Sequence, residues 1–446
     1  MTNELKIGDR RHGSLFDEDP NTPDISATIE RSEKGIYVSM RWDSEKNPQY
    51  GRWFTNDAFY PDQDSNRALP DPECPSELIF RDSHGPITLV GCRSDGYDTN
   101  LFIGTGRINV GAAILGASSL SYAKINGLQC EVSGLRSWLG TTSIHQTRTF
   151  VEETGRQQID INLLSPGPIN IPDSGLTLRP TYTKSRTLHS LEIRDSVRLE
   201  HRTEYESSWR THFGALRALR DLLAVSRWRS ESLIAERVMR SDYPLQGPTG
   251  NAGTREQWLE VIDDTSSLPV EETPRTAHLI EYAELGPEGI SRWIQLREDF
   301  SRAFDPAISS LYLENLSTEV RLTQVAIGLE ALGYLIAVRD DGTSESTANR
   351  MNFKTRLNRI VQDLDGVLPF VKANADWSQN IADAYNALKH VNRAAPQPVD
   401  VANGWRECVL LLRAWIASEL GVEHAILTQR VLEDAYIRPF VAIERI

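Results

Sequence analysis

The spacing of apolar residues changes part-way along this chain, and that change limits what it can fold into. In the first 175 residues short apolar runs alternate with turn residues. The runs are Gly35-Ile36-Tyr37-Val38-Ser39-Met40, Glu77-Leu78-Ile79-Phe80, Pro86-Ile87-Thr88-Leu89-Val90, Leu101-Phe102-Ile103 and Gln129-Cys130-Glu131-Val132. β-Branched and aromatic residues between clusters of Asn, Asp, Gly and Pro read as short strands. From Trp293 onward this signal vanishes and apolar residues recur at three and four. Leu322, Val325, Leu329, Leu332 and Ile336 place a helix over 319–338, and Phe353, Leu357, Ile360 and Leu364 one over 348–364. Further helices are expected over 293–313, 404–420 and 424–435. The fold class is therefore α+β. A β-rich domain covers 1–175, a mixed α/β region 176–290, and an all-α bundle with short connections 291–446.

The middle region carries both periods. Leu176, Leu178 and Pro180 alternate as in an edge strand, and Phe213, Leu216, Leu219, Leu222 and Leu223 stripe a helix over 208–226. Strands are expected over 232–239 and 257–262. Residues 47–75, rich in Pro, Asp and Asn, read as a long loop, and Gly247 to Gly253 as an exposed one. Gly134 to Gly140 reads as a short helix with Trp138 as a packing plug. Gly104-Thr105-Gly106-Arg107 lacks the Lys-Ser/Thr of a phosphate-binding loop and reads as a hairpin turn. His189, His201 and His212 are too dispersed for a metal site.

Four scattered cysteines, Cys74, Cys92, Cys130 and Cys408, fit neither a disulfide scaffold nor a zinc knuckle and suit a reducing cytosol. Met1 to Gly13 is polar, and no apolar run of membrane-spanning length stands out, so a cytoplasmic protein without membrane contact is expected. The net charge is -14, which opposes coating of nucleic acid by counterion release. From Glu314 on there are 14 basic and 17 acidic residues, so -11 of the charge belongs to the preceding residues, and any contact with RNA or DNA must be local.

Inside the helical region a single segment stands apart: Asp383-Ala384-Tyr385-Asn386-Ala387-Leu388-Lys389-His390-Val391-Asn392-Arg393. As a single amphipathic helix it places Ile381, Ala384, Leu388 and Val391 on one side and Asn386, Lys389, His390 and Arg393 on the other. An amide, an imidazole and two cations within two turns can bind a phosphate and move a proton beside it. The plain alternative is a solvated face with a chance histidine. Arg350, Lys354, Arg356 and Arg359 line the outer side of the 348–364 helix, where they either track an RNA backbone or are simply solvated. Glu330 flanks a buried stripe, as an ion-pair partner or a catalytic group.

The β-rich start, with Asn126-Gly127-Leu128 and Gly134-Leu135-Arg136-Ser137-Trp138-Leu139, resembles the N-terminal domain of ApeA-like bacterial proteins. The helical end, with Arg321-Leu322, Glu330-Ala331-Leu332 and Asn386 to His390, resembles the HEPN domain that accompanies it there. The resemblance spans essentially the whole chain. It implies a bacterial antiphage factor whose HEPN domain is an RNA endonuclease needing no metal or cofactor. It implies a homodimer through the C-terminal helical domain, and a β-rich domain that senses a phage-derived or host protein trigger or holds the nuclease in check. The HEPN motif is an arginine, often followed by a polar residue, with about four to six residues between the arginine and a histidine. His390 and Asn386 match, whereas the residue five before His390 is Tyr385. The resemblance thus implies His390 as proton carrier and Asn386 as its orienter. Lys389 and Arg393 would be phosphate ligands standing in for the missing guanidinium, with Tyr385 and Glu330 in support. Two other readings stay open: a HEPN-type RNA- or protein-binding module without catalysis, and a scaffold for a neighbouring effector.

Overall fold

The computed structural model describes residues 3–17, 19, 22, 24–43, 45–54, 74–100, 102–119, 121–151, 155–244, 256–263 and 278–442. The N-terminal half supplies strands β1 (Arg10–Phe16), β2 (Ile25–Ser32), β3 (Gly35–Asp43), β4 (Glu77–Asp82), β5 (Gly85–Val90), β6 (Arg93–Thr99), β7 (Ile103–Val110), β8 (Ala112–Leu115) and β9 (Lys124–Val132). Helix α1 (Leu135–Leu139) comes next, then β10 (Ile144–Val151), β11 (Arg156–Leu163), β12 (Ile169–Asn170), β13 (Leu176–Arg186), β14 (Leu191–Ser208), α2 (Trp209–Arg227), β15 (Leu233–Met239) and β16 (Trp258–Asp263). The remainder is helical: α3 (Tyr282–Asp299), α4 (Ser301–Ser309), α5 (Thr318–Arg339), α6 (Glu345–Arg350), α7 (Phe353–Gln362), α8 (Pro369–Ala373), α9 (Trp377–Lys389), α10 (Pro398–Glu419) and α11 (His424–Glu433). An α+β fold with a β-rich start and an all-α end is the observed class.

Two compact units share the chain. The first comprises 1–131, 198–216 and 232–269, and the second 132–197, 217–231 and 270–446. In the first, the sheet runs β9-β15-β16-β8-β5-β4-β1-β2-β3-β7-β6, with residues 198–208 of β14 paired to β9. Its alternate residues close over one core of Leu15, Ile29, Val38, Leu78, Phe80, Leu89 and Ile108. Each such side chain contributes about 1.5–3 kcal/mol over exposure.

The Gly104-Thr105-Gly106-Arg107 segment lies inside β7 and is not the turn that its glycines imply. Trp42 and Phe54 stack with ring centroids 5.1 Å apart, and a Cβ at Gly104 or Gly106 would overlap the first or the second of these rings. The glycines are there to admit an aromatic pair. The stretch expected as a long loop begins with a 3-10 turn, Pro48–Trp53. Residues 55–73, Leu101 and the Gly247 to Gly253 loop lie outside the described residues.

In the second unit α5 is the central element, packed on α4, α7 and α10. Its start is capped by Ser317, whose hydroxyl accepts from the Val320 amide. Leu322, Val325, Leu329, Leu332 and Ile336 are all fully buried, as their spacing implies. Beside them Trp293, Phe300, Phe304 and Trp415 form an aromatic cluster with centroids 5.3–6.3 Å apart. At Gly333 a Cβ would stand 2.8 Å from the Arg356 carbonyl oxygen, so glycine lets α5 and α7 approach.

Several expectations need correction. The 293–313 helix begins earlier and breaks at Phe300 into α3 and α4. The 348–364 helix is two, because the Asn352 side chain accepts from the Thr355 amide and starts α7 afresh. Helix α10 starts at Pro398, a residue that opens a first turn readily. The hairpin β10–β11 and the long, charged β14 add strands where the apolar spacing marks none. Among the described residues one helix, α5, is long and apolar enough to cross a membrane, so such a run does exist; half of it is buried inside the unit.

Candidate functional site

Helix α9 carries the candidate site, and the face it buries differs from the one the spacing implies. Its buried residues are Trp377, Ser378, Ile381, Ala382 and Tyr385. Ala384 and Leu388 are only half-buried, and Val391 is fully exposed. Val391 is exposed because the helix stops at Lys389. His390 has extended backbone (φ -122°, ψ 107°), and its amide still donates to the Asn386 carbonyl at 3.0 Å. The Arg393 amide then donates to the His390 carbonyl, also at 3.0 Å, and closes a turn. Pro396 and Pro398 hold the residues before them extended, so the segment cannot continue as helix.

The structure therefore brings Asn386, Lys389, His390 and Arg393 to one end of α9, with Lys389, His390 and Arg393 exposed. Three of these sit where the helix carbonyls point outward, a place that favours cations. Arg393 lies 3.7 Å from Asp383, both side chains being about half exposed, so the pair is weak and its cation remains available.

Tyr385, in the place of the motif arginine, is 2% exposed. Its hydroxyl donates to Glu330 Oε2 at 3.4 Å, and its ring meets Phe353 edge-on at 5.0 Å. Burial, and secondly the Glu330 charge, push its phenol up to about 12. The Lys389 ammonium stands 4.5 Å from the Tyr385 ring centroid, within cation–π range. Glu330 is also 3.5 Å from the Arg356 guanidinium, so it joins α5, α7 and α9 rather than facing solvent alone.

The four basic residues ahead of α9 separate into two kinds. Arg350 and Lys354 are exposed. Arg356 is buried, and its guanidinium donates to the Glu330 and Ala348 carbonyls at 3.2 and 3.1 Å. Arg359 grips Asp341 with two bonds of 2.7 and 2.8 Å and Asp363 with one of 2.5 Å. These bonds raise the Arg359 value and hold the Asp341 carboxyl below its usual range. Arg356 and Arg359 thus depart from the expected RNA-tracking face: both guanidiniums are held by bonds within the fold.

A cleft of ≈ 610 Å³ opens between α9 and α10, and no motif in the sequence marks it. Asn380, Asp383, Ala387, Asp400, Asn403 and Glu407 line it, and Trp377 Nε1 donates to Glu407 at 2.8 Å. Its carboxylates make it a poor seat for phosphate. The histidines dismissed as dispersed are partly brought together: His201 Nδ1 lies 2.9 Å from His212 Nδ1, and His212 Nε2 bonds the Ile125 carbonyl at 3.0 Å. Burial holds His212 below its ordinary value. This pair belongs to the core of the first unit.

Two family models match the chain. One, described as ApeA N-terminal domain 1, matches residues 17–293, and the other, Apea-like HEPN, matches residues 336–425. The second span contains α7, α9 and the His390 segment. No curated protein and no solved structure matches the chain.

Proposed function

The chain belongs to the ApeA family, with an Apea-like HEPN domain at its helical end, and on that premise we propose that it is an antiphage RNA endonuclease. The observation that carries this reading is the exposed end of α9, where His390 projects beside Lys389 and Arg393. Cleavage without a metal needs a base for the 2'-hydroxyl, charge for the phosphorane and an acid for the 5'-oxygen. His390 takes the proton of the 2'-hydroxyl as that oxygen attacks phosphorus. The 5'-oxygen leaves and is protonated, giving a 2',3'-cyclic phosphate and a 5'-hydroxyl. Lys389 and Arg393 hold the phosphate, and Asn386, one turn before His390, orients imidazole or phosphate. A homodimer through the helical domain supplies a second His390 as the acid. A phage-derived or host protein acting on the N-terminal domain is the proposed trigger, in the cytoplasm.

Tyr385 favours a second reading. Buried and bonded to Glu330, it cannot reach a phosphate as the motif arginine would. A HEPN-type module that binds RNA or protein without cutting fits that departure. Incubating the purified protein with total RNA in EDTA decides between them. Cleavage by the parent, with cyclic-phosphate ends, and none by His390→Ala supports the nuclease. Equal behaviour of the two removes it. Loss of protection against phage in cells carrying His390→Ala tests the defensive role.

A further inference from the structure

Among the described residues the hairpin β10–β11 forms a two-stranded sheet, separate from the main one. Such a ribbon is marginal in water by itself. Its register pairs Ile144 with Leu163, Gln146 with Ile161, Arg148 with Ile159 and Phe150 with Gln157. Side chains alternate between faces, so these eight share one face. The other face carries His145, Thr147, Thr149, Arg156, Gln158, Asp160 and Asn162 and is polar among the described side chains. The first face is bare: Phe150 is 66% exposed, Ile159 50% and Ile161 49%. Isolated exposed apolar residues are ordinary, but a row of them on a two-stranded ribbon marks an interaction surface.

The apolar residues are not spread evenly over that face. Ile159, Ile161 and Leu163 all lie on β11, while β10 carries Gln146 and Arg148 at its middle. The apolar column therefore runs along a strand with one unpaired edge, the arrangement that templates pairing with another strand. The polar face of β11 identifies the strand. Arg156, Gln158 and Asp160 read cation, amide, anion at every second position. Run antiparallel to itself about Gln158, this sequence sets Arg156 opposite Asp160 twice and Gln158 opposite Gln158. On the other face it sets Ile159 diagonal to its own copy. Opposite charges across a strand pair stabilise it, and like charges there do the reverse.

We propose that β11 pairs with β11 of a second copy of this chain, antiparallel about a two-fold axis at Gln158, giving a four-stranded sheet. An isologous contact of this kind is self-complementary by symmetry, as the charge order requires. The occupant is a second copy and not a lipid surface or an unrelated protein, because neither of those would call for a palindromic charge order on the edge strand.

Light scattering on the full chain, with cysteine cross-linking, tests this. Residues facing each other across an antiparallel pair lie about 4.5–5.5 Å apart between Cα atoms, within disulfide reach. Gln158→Cys is therefore expected to form covalent dimers in most chains under mild diamide oxidation. The parent, with its own cysteines, and Gln146→Cys on β10 stay at background. Arg156→Asp and Asp160→Arg, each placing like charges opposite, halve the mass of the assembly, and the double exchange Arg156→Asp/Asp160→Arg restores it. The hairpin is exposed, so these changes leave the fold intact, and the restored double variant guards against local misfolding. A Gln158→Cys protein that cross-links no more than the parent overturns the proposal. A mass that neither single variant alters overturns it as well, and is the result if a membrane or a different protein covers the hairpin.

Discussion

Two basic strips of the helical domain look alike in sequence and differ in the structure. Arg350, Lys354, Arg356 and Arg359 on α6 and α7 form one. Lys389, His390 and Arg393 at the exit of α9 form the other. In the first, Arg356 and Arg359 are held by the carbonyls of Glu330 and Ala348 and the carboxylates of Asp341 and Asp363. In the second, the side chains are exposed, and the ties are a loose Arg393–Asp383 pair at 3.7 Å and Lys389 over the Tyr385 ring. Charge pattern alone does not separate a cation that holds helices together from one left for a ligand. The separation comes from what lies opposite, and that is a tertiary fact.

Substitutions should pull the strips apart. The largest effect expected is His390→Ala, which lowers the RNA cleavage rate about a hundred- to ten-thousand-fold while urea unfolding moves by no more than about 0.5 kcal/mol. A large shift in its unfolding midpoint would place His390 with the structural strip. Arg356→Ala should do the opposite. It leaves two carbonyls and a carboxylate short of a donor inside the bundle and costs about 2–3 kcal/mol, read from the same denaturation curves. Gly333→Ala, which forces α5 from the Arg356 backbone, should cost a similar amount, about 1–3 kcal/mol.

Arg359→Ala is expected to cost about 1 kcal/mol, since its partners are partly exposed. Its clearest sign lies in the pH dependence. The Asp341 carboxyl is held below its unfolded value by Arg359, so its contribution is complete above that value and is lost as pH falls through the lowered one. Unfolding followed from pH 7 into the acid range should therefore show a shallower loss in the variant than in the parent. An identical slope would mean that the pair is not formed in solution. The smallest change expected is in salt dependence. Lys389→Ala should reduce the log–log salt slope of single-stranded RNA binding by about 0.7, and Arg359→Ala should leave it unchanged.

Much of the scaffold was legible in the residues. The α5 stripe, the α2 stripe and strands such as β4, β5 and β15 follow their periods because burial of one face decides them. The failures share a cause. Gly104 and Gly106 read as turn residues, because nothing local reveals that Trp42 and Phe54 lie above them. Val391 reads as core because no local breaker marks the end of α9 at Lys389. The hairpin β10–β11 alternates weakly, with Gln and Arg interrupting its apolar column. At the site, His390 and its cations were legible as a cluster. That Arg356 and Arg359 were already engaged was not, since Ala348, Glu330 and Asp341 lie on other elements.

The end of α9 one residue before His390 changes how length variation is felt. A residue added within the helix advances the downstream chain by about 1.5 Å and turns it by about 100°, whereas one added in the extended segment moves it by about 3.3 Å. Relatives that lengthen the gap before their histidine inside the helix would swing the ring around the axis. Those that lengthen it after the helix would carry the ring outward along the chain. Counting residues between motif positions is thus a poor ruler at this site, and the point where the backbone leaves the helix is the better landmark for comparing reach.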